Sequence, residues 1–99
     1  MNTKISDITL DFVKNYIRLE SDFTQDDAEI QLFMTISQDL VSELTHLTID
    51  ELDAKPSAVA PYLYAISELY NNRSITGNDM AMNPIFMLMI KAVRKKGIL

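Results

Sequence analysis

His46 is the only histidine in the chain, and its Thr-His-Leu setting at a predicted helix end points to a structural or surface role. Two pairs of neighbouring carboxylates, Asp26-Asp27 and Asp50-Glu51, have the residue types for acid–base work. Both fall where helices are predicted to begin, and the positive end of a helix dipole accounts for them without chemistry. Asp22, Asp26 and Asp27 lack the spacing of a calcium loop and have no glycine at its turn. No glycine-rich phosphate loop, nucleophile elbow or paired-histidine motif occurs. Cysteine is absent, which excludes disulfides and thiolate metal sites. Asn72-Arg73-Ser74 fits a glycosylation triplet, unaccompanied by any secretion signal. The expectation is a protein without catalytic residues, metal or cofactor.

The elements that carry these residues read as helices. Thr9 can cap a first short helix with Asp11 in its opening turn. Leu10, Val13 and Ile17 give it one apolar stripe, and Phe12 with Tyr16 a second pair on an adjacent face. The segment 20–25 breaks the pattern as a loop. Thr24 or Asp26 opens the longest helix, running to about Thr45, with Ile30, Phe33, Met34, Leu40, Val41 and Leu44 as its stripe and Ser37 as a polar interruption. Thr48-Ile49-Asp50-Glu51 matches a capping box and begins a short helix that ends before Pro56. Ser57 is the predicted cap of a third long helix to about Arg73, with Pro61 tolerated in its first turn. Residues 71–83 read as a loop. Asn83-Pro84 then starts a last helix to about Lys96, its final turn basic and Gly97 suited to the stop. No stretch alternates with period two, so no strand is placed, and the expected class is all-α: about four helices plus a short one.

With 99 residues the chain has room for one domain, spanning 1–99. A domain of this size buries only about 60–65% of its unfolded surface, so its private core is thin. Apolar residues make up 47%, which argues against disorder. The longest apolar run, Ala58 to Ile66, contains Pro61 and is far short of a membrane span. The opening Met1-Asn2-Thr3-Lys4 has no signal-peptide character. Both facts lead to the expectation of a soluble, intracellular protein.

Charge is unevenly distributed. Residues 1–53 carry twelve acids against three bases, a balance of −9, and residues 54–99 carry two acids against six bases, +4, giving the total of −5. A basic helix end is favoured by the helix dipole, and the acidic half of one copy could also meet the basic end of another. Apolar residues surround two helices. From Ala58 to Tyr70 only Ser67 and Glu68 are plainly polar, and the run Ile85 to Ile90 covers every direction of the last helix. A helix apolar all round must be covered all round. One can sit centrally, but two are hard to hide in so small a domain. Phe86, Met87, Met89, Ile90 and Arg94 are accordingly the candidate subunit contacts, with methionine suited to adaptable packing.

The segment Ala65-Ile66-Ser67-Glu68-Leu69-Tyr70-Asn71-Asn72-Arg73-Ser74 resembles the helix ending typical of head–tail connector (head-completion adaptor) proteins of tailed bacteriophages. Ile8 to Leu19 is similar to that family's first helix. The acidic loop, the long helix opening at Asp26-Asp27-Ala28-Glu29 and the basic-ended helix from Asn83-Pro84-Ile85 follow in the same order. Asn72 departs from the pattern, which more often has Glu there. The resemblance implies a four-helix subunit that forms a ring of about twelve copies. That ring would sit beneath the portal protein, contact a tail-completion protein and extend the DNA channel without gripping DNA. It implies the host cytoplasm during assembly and then the virion neck as locations. Glu68 and Arg73 are the candidate structural ion-pair residues, each expected to find a partner elsewhere, Arg73 on an acid of the N-terminal half. The alternatives are a small prophage or bacterial DNA-binding regulator, using Lys91 to Lys96 on phosphates, and a generic helical adaptor that dimerises through its last helix. Net acidity and the lack of a helix-turn-helix weigh against the regulator.

Overall fold

The computed structural model describes residues 4–20, 22–72 and 83–94. They form a 3₁₀ turn (Ile5–Asp7), α1 (Leu10–Tyr16), α2 (Asp27–Thr45), α3 (Ile49–Asp53), a second 3₁₀ turn (Pro56–Ala58), α4 (Val59–Asn71) and α5 (Pro84–Val93). Among the described residues there is no strand, and the fold is all-α.

Local chemistry sets the boundaries. Thr9 accepts a hydrogen bond from the Phe12 amide at 3.1 Å and starts α1. The Thr48–Glu51 capping box is complete, with both reciprocal bonds formed. Asn83 caps α5, its Oδ1 accepting from the amides of Ile85 and Phe86 at 3.0 Å each, ahead of Pro84.

Other boundaries differ from the sequence reading. Ser57 caps nothing; it lies inside the 3₁₀ turn that Pro56 opens, and α4 starts at Val59 without a side-chain cap. α4 ends at Asn71 because Asn72 leaves helical geometry (φ −135°, ψ 83°). α5 ends at Val93, not near Lys96, because Arg94 turns extended at ψ 144°. Most of the 71–83 loop, with Arg73, lies outside the described residues, as do Lys95, Lys96 and Gly97.

α4 is the central helix. It packs most extensively on α2 and also meets α1 and α5. Its Tyr62, Leu63, Ala65, Ile66 and Leu69 are buried among Ile30, Phe33 and Val41 of α2 and Phe86, Ile90 and Val93 of α5. Ile5, Ile8, Leu47 and Leu52 extend this core beneath the N-terminal turn and α3. Ser37, the polar interruption of the α2 stripe, is fully buried, and its hydroxyl has no hydrogen-bond partner among the described residues. The molecule measures 44 × 30 × 18 Å. Its thinnest dimension is less than two helix diameters of about 10–12 Å each. Outer helices therefore keep one side toward the surroundings.

Candidate functional site

The position of α5 decides which of its apolar residues are available. Its N-terminus is fixed by Asn83, whose Nδ2 donates to the Tyr64 hydroxyl of α4 at 3.1 Å while its Oδ1 caps the helix. The Tyr64 and Phe86 rings stack with centroids 6.3 Å apart and planes 20° from parallel. Its C-terminus is held by Lys55, whose Nζ donates to the Val93 carbonyl at 3.1 Å, a cation on the negative end of the helix dipole. Held at both ends, α5 turns Phe86, Ile90 and Val93 inward at spacings of four and three. Ile85 and Leu88 are left 61% and 68% exposed, with Ala92 and Lys91 exposed beside them.

This corrects two of the contact residues expected from sequence, Phe86 and Ile90. Phe86 and Ile90 are fully buried inside the chain and offer no surface to another molecule. Their spacing and that of Val93 place them on the face that meets α4 and α2. Met87, Met89 and Arg94 are half-buried, and Met87 packs on the core. The outward apolar face of α5 belongs to Ile85 and Leu88.

α2 is held in a comparable way. Asp26, just before the helix, accepts from the Tyr70 hydroxyl at 2.7 Å. Asp27 forms an ion pair with Lys14 at 2.9 Å, and the Lys14 side chain is only 2% exposed. At the other end Ser42 Oγ donates to the Leu47 carbonyl at 2.7 Å, and His46 closes the helix in left-handed geometry at φ 60°. The α2 face opposite the core leaves Leu32 and Ile36 exposed at 56% and 41%, followed on the same side by exposed Asp39 and Glu43.

Several of the groups with chemical potential are in structural use. Glu51 Oε1 accepts from the Thr48 amide at 3.0 Å as half of the capping box. Asp53 accepts from the Ser6 amide at 3.0 Å and its hydroxyl at 2.7 Å, which joins the N-terminal turn to α3. These bonds hold the Asp53 carboxyl below the ordinary carboxylate range, with a smaller contribution from Lys4. Burial pushes the Tyr62 phenol above its ordinary range. Among the described residues, no three or more acidic or histidine side chains are grouped to hold a metal ion. An open groove beside α1, about 790 Å³, is lined by Asp11, Asn15, Arg18, Leu19, Glu20 and Asp22. No described helix is long and apolar enough to cross a membrane.

The Glu68 side chain is half-buried and has no ion-pair partner among the described residues, while Arg73 lies outside them. An ion pair among the described residues, Lys14–Asp27, was legible in part. Lys14 completes the Leu10, Val13, Ile17 spacing on the inward face of α1, so burial was implied by its position. Leu32 and Ile36, spaced by four and off the main α2 stripe, carried an equally plain signal.

No family model, curated protein or solved structure that was compared with the chain matches it.

Proposed function

We propose that the chain is a non-enzymatic structural subunit that works by assembling with further copies of itself, in the manner of the phage head–tail connectors its sequence resembles. The observation that carries this reading is the outward face of α5, where two large aliphatic side chains stand in the open on a helix fixed at both ends. Rigidly presented apolar side chains mark contact surfaces more often than scattered mobile ones do. The resemblance supplies the finer reading: a ring of about twelve copies between portal and tail-completion proteins. Copies would build the channel wall, and the acidic first half would suit a lining along which DNA slides. Light-scattering mass across protein concentration, with negative-stain microscopy of the assembled material, tests the proposal. Closed rings with a central opening are expected; a monomer at every concentration would overturn it.

A further inference from the structure

The exposed stripes of α2 and α5 have matching patterns. On α2, Leu32, Ile36, Asp39 and Glu43 follow one another at spacings of four, three and four, all exposed. On α5, Ile85, Leu88 and Lys91 follow at spacings of three, with Ala92 alongside, all exposed. Each stripe is apolar toward its N-terminal end and charged toward its C-terminal end, acidic on α2 and basic on α5. Ile36 to Asp39 and Leu88 to Lys91 are both three residues, about 4.5 Å along a helix. Two such stripes laid parallel superpose aliphatic on aliphatic and bring Lys91 to the exposed Asp39; laid antiparallel, Lys91 would meet Glu29, which is half-buried and already engaged within the chain.

We propose that the α5 stripe of one copy docks in parallel on the α2 stripe of the next, with Ile85 and Leu88 against Leu32 and Ile36, and Lys91 facing Asp39. This inference rests on the self-assembly reading above and names the surfaces it uses. A contact between two different faces is heterologous, so each copy both gives and receives, and the chain of contacts closes into a ring or continues. A surface pairing only with itself would need no such complementarity. α5 is about 15 Å long, so one contact falls below the roughly 800 Å² per partner of a standard interface. Interfaces of that size are mostly weak or transient, so assembly is expected only at high protein concentration.

The test uses two full-length double variants, Leu32→Asp/Ile36→Asp and Ile85→Asp/Leu88→Asp, with mass measured by sedimentation or light scattering up to about 1 mM and helicity followed by circular dichroism. These positions are exposed, so both variants should fold. Each alone should stay monomeric where the wild type assembles. Mixed together they should form a 1:1 dimer and nothing larger, because each retains the face the other lacks. A third pair checks the register: Asp39→Lys and Lys91→Asp should each weaken assembly about tenfold, and the double variant should recover it.

Assembly that survives one double variant, or a mixture that stays monomeric, overturns the heterologous contact while an assembling wild type keeps the broader reading. Failure of the charge exchange to restore assembly overturns the parallel register. A monomeric wild type overturns both proposals. Loss of thermal stability in Ile85→Asp/Leu88→Asp without change in mass would mean that the chain's own residues outside 83–94 cover α5, which also overturns the contact.

Discussion

A single buried cation shows how this small fold holds an unfavourable group. Lys14 is nearly inaccessible and meets Asp27 at 2.9 Å, while Asp27 remains 29% exposed. Removing the acid takes the 2.9 Å partner from a cation in the interior; removing the base leaves an acid whose side chain is partly open to water. Asp27→Asn should therefore destabilise by about 1.5–3 kcal/mol, the loss of one charge-assisted bond, and Lys14→Met should cost less. Equal losses in urea titrations of the two variants would refute this ordering. His46 poses a different problem, because a side chain with a Cβ pays about 1 kcal/mol to sit at φ 60°. His46→Gly should raise the urea midpoint by a matching amount, with the helix end unchanged. Titration acts on the same scale. Asp53 is favoured as the carboxylate in the fold, so its contribution is present above its ordinary value of 3.8 and is lost as pH falls below it. Tyr62 is favoured as the neutral phenol, so its contribution is present below 10.0 and is lost as pH rises beyond. Thermal melts should show Ser6→Ala flattening the acid limb and Tyr62→Phe flattening the alkaline one. Unchanged limbs would remove these assignments.

At the scale of elements, sequence was most informative where a side chain bonds its own backbone. Thr9, Thr48 and Asn83 announce helix starts because the capping oxygen, the amide it serves and the proline that follows are all local. The reading differs from the structure at Ser57, where Pro56 drives a tight turn before the helix, and at Arg94, which the reading places in the helix and the structure places just past its end. Periodicity placed α2 well, since its polar residues mark one face. It could not orient α5, whose run from Ile85 to Ile90 is apolar in every direction. What orients α5 is distant in sequence: Tyr64 bonding Asn83 and stacking on Phe86, and Lys55 reaching the Val93 carbonyl. No local pattern could reveal those partners, which is why Phe86 and Ile90 were assigned outward and Ile85 and Leu88 were not. Asn83→Ala removes both the cap and the tie to Tyr64, and should cost about 1–2 kcal/mol. Asn83→Asp keeps the capping oxygen and loses only the donor, so it should cost less. A comparable loss in both would show that the Tyr64 bond, not the cap, fixes the helix.

For the whole molecule the governing fact is that its charge is divided, −9 over residues 1–53 and +4 over 54–99. A protein that grips duplex DNA concentrates positive charge on a face, and non-specific binders reach about 10⁻⁴–10⁻⁶ M at physiological salt. Here several of the bases are already engaged: in the basic half Lys55 holds the α5 terminus and Arg94 is half-buried, and in the acidic half Lys14 is buried in its ion pair. The remaining positive charge faces a larger acidic field from its own chain, which repels phosphate. Gel-shift titration at physiological salt should therefore detect no duplex binding. Micromolar, salt-sensitive binding that disappears in Lys95→Ala/Lys96→Ala would favour the DNA-binding regulator over the connector. Assembly itself should respond to salt only in part. Exposed charges are screened over about 8 Å at physiological ionic strength, so the Asp39–Lys91 component weakens as salt rises. Burial of Ile85, Leu88, Leu32 and Ile36 is not screened and is strengthened by excluded salts such as sulfate. Sodium chloride and sodium sulfate at equal ionic strength should thus drive assembly in opposite directions. Equal weakening by both would mean that charge alone holds the copies together.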